Sequence, residues 1–430
     1  MMYIIYNGLF IVGFIFYLPF LIFRMVRYGK YREGFYERFA IYPKSVKKKL
    51  CNSFPIWIHG ASVGEAMAMT PLIERIREVW PSIPILVSTV TGTGREIAQK
   101  HITEKEVVIA FPLDFPWIVK SALNMVQPKL VVLMESEVWP NFILQAHKRK
   151  IPIVVMNGRI SDRSFRRYQK CKSFILPILK MIKKIAVQNK IELEKFKILG
   201  LDDHQILSTG NMKYEMINTT QTTSKDVSYW KKIFKIVPED HVIVAGSTHD
   251  GEEQILVNIL LRLAQKYPHS RLMVVPRHPE RIPAITEWLK ANNIVFALRS
   301  QCEKLKDKFN IIVVDTIGEL RDIYQIANIV FIGKSLTKKG GQNPIEPALF
   351  KKPIIFGPHM ENFKTIQKEF VDRHAAIQVH DEKELENCLE SLILDDAKCQ
   401  KLGLNAYHLI MDNQGASQRN LQIIRDILKD

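Results

Sequence analysis

Three glutamates in the first half of the chain stand where a carboxylate can serve catalysis or cap a helix. Glu65 follows the apolar run "FPIWI" within the segment "HGASVGEA", and Glu135 and Glu137 follow the apolar run "KLVVLM". Carboxylates can accept protons, yet beside a buried strand they are costly unless they are used. Capping of the helix that follows is the alternative role for each of them. Lys213, in "TGNMKYE", would either balance a negatively charged substrate or remain solvated.

In the second half, polar or glycine-rich segments follow nearly every apolar run, which is typical of a nucleotide site. Arg277, in "PRHPER", can grip a phosphate or carboxylate through two hydrogen bonds, or it is an ordinary surface arginine. Residues 317–319 in "DTIGEL" precede a predicted helix, so their free N–H groups suit a phosphate. Asn343 and Glu346 in "GGQNPIEPA" could hold ribose hydroxyls and a base edge, or they could cap a helix.

Several motifs of other enzyme classes are absent from the sequence. It has no GxxxxGK[ST] segment, and "GTGREIA" has two of the three glycines of a dinucleotide fingerprint. A membrane-tethered dinucleotide-dependent oxidoreductase is therefore the weaker alternative. HExxH and Asp-x-Asp are absent and the five cysteines form no CxxC pair, which predicts that no metal is bound. Arg, Lys and helix amides would then meet the charge of a leaving group.

The elements that position these residues follow a regular alternation. From residue 56 onward, short apolar runs alternate with helical stretches, the pattern of parallel α/β sheets. A polar, Thr-rich segment at residues 217–228 predicts a linker between two doubly wound domains with a ligand cleft between them. The predicted strands cover residues 83–89, 107–113, 129–136, 151–159, 185–189, 206–211, 242–248, 271–278, 294–298, 310–315, 329–333 and 353–357, and the tail from 381 is predicted to be helical.

The N-terminal segment predicts a membrane anchor. Residues 3–23 carry no charge, and 21 residues of helix span roughly 31 Å, about one bilayer core. A cleaved signal peptide is the alternative, but no basic region precedes the run and no small-residue cleavage site closes it. Between Arg24 and Lys49 there are nine Lys or Arg and two Glu. This flank predicts that the body is cytoplasmic and that it attracts anionic headgroups.

Composition limits the class of partner. The 430 residues are 47% apolar and 24% charged, as in an ordinary folded protein, and the net charge is +17. Such a charge favours an anionic partner, namely nucleic acid, an acidic membrane or a phosphorylated substrate. A non-catalytic binder of anionic lipid or nucleic acid would explain the charge and the anchor, but not the carboxylates that follow the strands.

Eight collinear motifs identify a family resemblance. Over essentially the whole chain, the sequence resembles the 3-deoxy-D-manno-octulosonic acid (Kdo) transferases of lipopolysaccharide synthesis. The motifs, behind an N-terminal anchor, are "HGASVGEA", "ESEVWPN", "NGRISDRS", "GNMKY", "GSTHDGEE", "PRHPER", "DTIGEL" and "GGQNPIEPA".

The resemblance implies an α/β fold of GT-B type, with two Rossmann-like doubly wound domains facing each other across a cleft. Residues 1–30 would be the transmembrane anchor and basic flank, 31–216 the acceptor domain, 217–228 the linker, and 229–430 the CMP-sugar domain with C-terminal helices. The implied reaction moves Kdo from CMP-Kdo to the lipid A precursor (lipid IVA) with inversion, iteratively in some members, without a metal. The implied partners are these substrates and the anionic inner-membrane surface, reached by a single-pass anchor, and not nucleic acid. Another membrane-associated GT-B enzyme that uses a UDP-sugar is the alternative.

The resemblance also implies roles for particular residues. Glu65 matches the general base, and the helix dipole would keep it ionised. Glu137 and Lys213 match residues that stabilise the transition state. The positions that match CMP contacts are Pro276, Arg277, Ile317, Gly318, Glu319, Asn343, Pro344, Ile345 and Glu346.

Overall fold

The computed structural model describes residues 2–28, 33–104, 106–215 and 226–429. The chain forms two compact units, a first unit of Met1–Met216 with Asn413–Asp430 and a second unit of Ile217–Asp412. Each unit contains one seven-stranded sheet in which all described pairings are parallel. The predicted α/β class with two doubly wound sheets is confirmed.

The first sheet is built from short apolar strands, and most of its residues are buried because helices cover both of its faces. Its strands are β1 (Ile56–His59), β2 (Ile85–Thr89), β3 (Val107–Ala110), β4 (Leu130–Met134), β5 (Ile153–Gly158), β6 (Lys184–Val187) and β7 (Ile206–Ser208). The helices of this unit are α1 (Met2–Tyr28), α2 (Lys44–Leu50), α3 (Val63–Val79), α4 (Gly92–His101), α5 (Pro116–Val126), α6 (Pro140–Lys148), α7 (Asp162–Lys170), α8 (Lys172–Lys180) and α9 (Lys190–Leu199).

The strand order of the first sheet determines where a ligand site can form. The order is β3-β2-β1-β4-β5-β6-β7, so β1 lies between β2 and β4. Successive connections therefore leave β1 and β4 toward opposite sides of the sheet, which opens a crevice at their carboxyl ends. Glu65 follows β1, and Glu135 and Glu137 follow β4.

The second sheet repeats this plan. Its order is β10-β11-β9-β8-β12-β13-β14, so the corresponding switch point lies between β8 and β12. Its strands are β8 (His241–Thr248), β9 (Ser270–Pro276), β10 (Ala297–Leu298), β11 (Ile311–Val313), β12 (Ile329–Ile332), β13 (Ile354–Phe356) and β14 (Ile377–Gln378). The helices of this unit are α10 (Val227–Phe234), α11 (Glu252–Lys266), α12 (Ile282–Ala291), α13 (Leu320–Tyr324), α14 (Ile345–Leu349), α15 (Lys364–Asp372), α16 (Glu382–Leu394) and α17 (Asp396–Asn413).

The last helix, α18 (Ala416–Lys429), corrects the predicted domain boundary. The sequence analysis placed all of 229–430 in the second domain, whereas residues from Asn413 onward belong to the first unit. The reason is packing, because Ile424 and Ile427 of α18 join the buried cluster that contains Ile56 and Ile58 of β1. The boundary therefore follows an apolar helix face that returns to the first sheet.

Other predicted boundaries are close to the observed ones. The predicted strands all correspond to observed strands, and their ends differ by at most three residues. Residues 217–225 of the predicted linker lie outside the described residues. Its last three residues begin α10, where the Asp226 side chain accepts a hydrogen bond from the backbone N–H of Tyr229.

Candidate active site

Glu65 lies in the first turn of α3 and takes part in its cap. The Ser62 hydroxyl accepts a hydrogen bond from the backbone N–H of Glu65 at 3.4 Å and donates one to Glu65 Oε1 at 2.9 Å. The backbone N–H of Ala61 donates to Glu65 Oε2 at 2.7 Å. These contacts are a variant of the capping box, so the alternative role considered from the sequence is present. Each carboxylate oxygen retains a second lone pair for a substrate.

The environment of Glu65 makes its carboxylate a better base than an ordinary one. Burial, followed by the charges of Glu135 and Glu137, raises the pKa of Glu65 to about 7, against the lowering effect of its hydrogen bonds. The sequence analysis expected the helix dipole to keep Glu65 ionised, whereas burial and the two neighbouring charges make this carboxylate hold its proton more tightly than an ordinary one. A pKa near neutrality suits a general base.

Glu135 is paired with Lys213. The two side chains form an ion pair with 2.5 Å between Glu135 Oε1 and Lys213 Nζ, and both are largely buried. Glu135 adopts a left-handed backbone conformation with φ +54°, and its N–H donates to the carbonyl oxygen of Met156 in β5. Such a conformation is costly for a residue other than glycine, so the surrounding structure must hold it.

The position of Lys213 is set by two asparagines. Lys213 lies in a 3₁₀ turn, Met212–Glu215. Asn157 Oδ1 accepts a hydrogen bond from the backbone N–H of Met212, and Asn211 Oδ1 accepts one from the backbone N–H of Lys213, each at 3.0 Å. A methyl group added to Gly64 would lie 3.6 Å from Lys213 Nζ, so the ammonium is beside the first turn of α3. The Lys213 ammonium is therefore held in place by protein groups and is not simply solvated.

Glu137 completes the carboxylate cluster. Its Oε2 accepts a hydrogen bond from the indole N–H of Trp139 at 2.8 Å. The charge of Glu137 also contributes to the raised pKa of Tyr168, after the larger effect of burial. The structure therefore brings Glu65, Glu137 and Lys213 together with Glu135 at the β1–β4 switch point.

His59 is a member of this cluster that the sequence reasoning did not select. It is fully buried, its ring stacks on Phe111 at 3.7 Å between centroids, and its Nδ1 lies 3.1 Å from the carbonyl oxygen of Ser88. Nδ1 is also 3.0 Å from the Ser88 hydroxyl, and Nε2 faces Glu137 Oε2 at 3.6 Å. That distance exceeds a hydrogen bond. A polar residue closing an otherwise apolar strand was the signal that could have found it.

In the second unit, the charges of Arg321 and Arg277 both act on the carboxyl group of Glu346. Burial raises the pKa of Glu346, while the charges of Arg321 and Arg277 oppose this shift. Arg277 is exposed, and its backbone N–H donates to the carbonyl oxygen of Thr248 at 3.0 Å. An exposed guanidinium beside a half-buried carboxyl suits a ligand that carries both an anionic group and hydroxyls.

The turn at 317–319 differs from the expectation in one respect. Ile317 is 83% exposed, and Gly318 has φ +88°, as a turn requires. The Glu319 carboxylate, however, forms an ion pair with Arg299 at 3.0 Å and accepts a hydrogen bond from the Thr316 hydroxyl. The Glu319 side chain therefore makes structural contacts, and a ligand at this turn would bind to the backbone.

The segment 343–346 realises only part of the predicted cap. Asn343 Oδ1 accepts a hydrogen bond from the backbone N–H of Ile345 at 3.0 Å, but Pro344 occupies the cap position of α14. The charges of Arg321 and Arg277 act on the Glu346 carboxyl, which is partly exposed. Pro344 and Ile345 are buried, as is Pro276 at the end of β9, so these three shape the backbone around the site.

Glu252, which the sequence reasoning did not single out, fixes the loops at the second switch point. Its fully buried carboxylate accepts hydrogen bonds from four backbone N–H groups, those of His249, Lys334, Ser335 and Leu336, at 2.8–3.0 Å. The loops after β8 and β12 are therefore bound to one side chain. The acidic pair in "THDGEE" was the available signal.

Two further properties concern cofactors and membranes. Within residues 2–28, 33–104, 106–215 and 226–429, no group of three His, Cys, Asp or Glu side chains is arranged to hold a metal ion. One helix in the same ranges is long and apolar enough to cross a membrane by length and composition, over Tyr3–Phe20. The metal-free site and the membrane location remain predictions.

Comparison with solved structures defines the class of fold. The UDP-GlcNAc 2-epimerase of Neisseria meningitidis, solved with UDP-GlcNAc bound, matches with a TM-score of 0.53 and 15% identity, over 87% of this chain and 100% of the epimerase. At this identity the likeness shows the fold alone. The chain has the two Rossmann-like domains of the GT-B class.

Sequence relatives identify the enzyme. The family model for 3-deoxy-D-manno-octulosonic-acid transferase (kdotransferase) matches residues 33–216. The 3-deoxy-D-manno-octulosonic acid transferase of Haemophilus influenzae is 35% identical over 94% of this chain and 93% of its own length. That of Rickettsia felis is 32% identical, over 87% and 79%. The chain belongs to the 3-deoxy-D-manno-octulosonic acid transferase family and is a glycosyltransferase of lipopolysaccharide synthesis.

Proposed function

We propose that this enzyme transfers Kdo from CMP-Kdo to the lipid A precursor, lipid IVA, with inversion at the transferred sugar. The observation that carries the proposal is Glu65, a largely buried carboxylate at the switch point of the first sheet with a pKa of about 7. A base of this strength is ionised in about half of the molecules at neutral pH. It can accept a proton from a sugar hydroxyl without a metal-bound hydroxide.

The proposed step begins with the acceptor on the first unit. Glu65 takes the proton of an acceptor hydroxyl while that oxygen attacks C2 of Kdo. The bond from C2 to the phosphate oxygen breaks, and CMP leaves with the electron pair. General-base assistance of this kind contributes about 10²- to 10⁴-fold to the rate. Attack opposite the leaving group accounts for inversion.

Two neighbours of Glu65 are proposed to stabilise the developing charges. The transition state carries positive charge on the sugar ring, and the carboxylate of Glu137 favours it electrostatically. The ammonium of Lys213 favours the departing phosphate. The ion pair with Glu135 holds this ammonium at a fixed position beside the first turn of α3.

The second unit is proposed to bind CMP-Kdo. Arg277 would contact the phosphate, the backbone of residues 317–319 would donate to it, and Asn343 to Glu346 would hold the ribose and base. Because these groups already supply positive charge and N–H donors, we expect transfer to proceed without a divalent metal. Transfer that persists in EDTA supports this expectation, whereas loss in EDTA with rescue by Mg²⁺ contradicts it.

We place the protein at the cytoplasmic face of the inner membrane, anchored through α1. The basic segment from Arg24 to Lys49, which begins within the end of α1, would attract anionic headgroups. The proposed acceptor is amphiphilic and phosphorylated, so it resides at this surface. Whether transfer is iterative would be seen in the number of Kdo units on the product.

The decisive experiment compares Glu65→Gln with Glu78→Gln, an exposed glutamate on the same helix. Purified variants are incubated with CMP-Kdo and tetraacyl lipid IVA, and the products are weighed by mass spectrometry. We expect Glu65→Gln to lose at least about 10²-fold in rate with CMP affinity unchanged by calorimetry. The Glu78→Gln control keeps the wild-type rate. Turnover of Glu65→Gln within threefold of wild type would overturn the assignment.

A further inference from the structure

The first half of α1 is bound to the first unit through polar contacts. The Tyr6 hydroxyl donates a hydrogen bond to Asp114 Oδ2 at 3.0 Å, and Asn141 Nδ2 donates to Asn7 Oδ1 at 2.7 Å. Asp114 is fully buried and also accepts hydrogen bonds from the backbone N–H groups of Asn141 and Phe142 at the start of α6. An anchor that only tethers the body would not need such contacts.

Aromatic contacts extend the same face of the helix. Phe10 and Phe14 pack edge-on against Phe115, with centroids 4.9 and 5.3 Å apart, and Tyr3 packs edge-on against Phe174 at 5.5 Å. Positions 3, 6, 7, 10 and 14 share one face of a helix. About 18 Å of helix, from residue 3 to residue 14, therefore lies along the first unit.

The opposite face of this segment is apolar and open. Ile4, Leu9, Ile15 and Phe16 are between 60% and 81% exposed. Trp117, stacked on Phe115, adds an exposed indole next to the docked helix. Exposed apolar surface of this extent requires a cover, and tryptophan beside it is typical of the lipid–water interface. The basic segment from Arg24 to Lys49 favours a lipid surface over a second copy of the chain.

Docking conflicts with a helix that crosses the bilayer. If α1 spanned the membrane with the body on the side of residue 28, residues 3–14 would lie in the outer part of the hydrocarbon. The surface that contacts them would have to enter with them. Exposed charged residues lie close to these contacts along the chain, namely Lys120, five residues after Phe115, and Lys172, two residues before Phe174. Charged residues facing lipid at that depth are strongly unfavourable.

We propose that α1 is a monotopic anchor, docked on the first unit by Tyr6 and Asn7 and buried by its outward face in one leaflet. Both ends of the helix then stay on the side of the membrane where the body lies. This replaces the single-pass anchor expected from the sequence and rests on the proposed membrane location. Asp114 accepts hydrogen bonds both from Tyr6 and from the backbone N–H of Asn141, so α1 is connected to the start of α6, the helix that follows Glu137 and Trp139.

The test is the side of the membrane on which residue 2 lies. In a background with Cys51 and Cys171 changed to Ser, Met2→Cys is treated with an impermeant maleimide in sealed inverted and right-side-out vesicles. A matched variant keeps only the exposed Cys51 as the marker of the body. We expect the cysteine at position 2 to be labelled wherever Cys51 is labelled, in inverted vesicles. Labelling only in right-side-out vesicles, or only after detergent, would overturn the proposal.

Two further measurements distinguish the docked anchor from the alternatives. If the full-length protein fails to bind vesicles, the membrane location itself is refuted. If the protein binds but the cysteine at position 2 is labelled from the far side of the membrane, only the docked anchor is refuted. Lipids with brominated chains should quench the fluorescence of the wild type more than that of Trp117→Phe. If quenching is equal in the two proteins and the wild type forms a dimer that Phe16→Ser dissociates, a second copy of the chain covers the apolar face. That outcome would overturn the lipid assignment.

Discussion

Replacement of Glu65 by glutamine should have opposite effects on activity and on stability. The activity is lost because glutamine accepts no proton, while the shape and one hydrogen-bond acceptor of the side chain are kept. The stability rises at alkaline pH because the neutral amide avoids the cost of a buried charge. The two effects together would distinguish a catalytic carboxylate from one that only caps a helix.

The magnitude follows from the shifted pKa. Burial and the charges of Glu135 and Glu137 raise the pKa of Glu65 from 4.5 to about 7, which corresponds to about 3 kcal/mol against the charged form. The folded protein binds the proton of Glu65 more tightly than the unfolded chain does. The contribution of Glu65 to the free energy of unfolding therefore falls as the pH rises from 4.5 to about 7. The advantage of glutamine is therefore absent at low pH and complete above neutrality.

The assay is urea unfolding of the wild type and Glu65→Gln at about pH 5 and pH 8, followed by a signal from the first unit. We expect the variant to gain up to about 3 kcal/mol at the higher pH and little at the lower. Glu78→Gln, exposed on the same helix, should show no pH-dependent difference. A Glu65→Gln variant that is less stable at both pH values would refute the reasoning, since the carboxylate would then serve the helix cap above all.

Three further outcomes are expected. The rate of transfer should rise with pH through about 7, because Glu65 then ionises. Glu135→Gln should shift this rise to lower pH by about one unit, because the substitution removes a like charge and frees the ammonium of Lys213. A pH–rate profile that does not shift would contradict the proposed cluster of Glu65, Glu135 and Lys213. Gly246→Ala places a methyl group 2.0 Å from the Tyr324 hydroxyl, so it should cost about 1–3 kcal/mol of unfolding free energy, partly restored by Tyr324→Phe. Arg277→Ala should weaken CMP binding about tenfold by calorimetry, and unchanged affinity would exclude it from the donor site.

Part of the candidate site was predictable from the sequence, whereas His59, Glu252 and the pairing of the side chains were not. Glu65, Glu137 and Lys213 could be selected because polar residues after apolar runs are visible in the sequence. The raised pKa of Glu65 and the pairing of Lys213 with Glu135 could not, because these depend on which groups surround each side chain in space. The capping bonds of Glu65, the ion pair of Lys213 with Glu135 and the commitment of Glu319 to Arg299 all involve geometry that spacing does not encode.

By itself, the sequence determined the alternation of strands and helices, the two sheets, the apolar N-terminal helix and the family. These features depend on local periodicity and on motifs whose residues are close along the chain. Only the tertiary structure decided that α18 returns to the first sheet, that His59 faces Glu137, and that one face of α1 docks on Asp114 and Phe115. Such contacts join residues 78 to more than 300 positions apart. They are set by the topology of the sheets and by the burial of apolar faces, which act across the whole fold and leave no local trace.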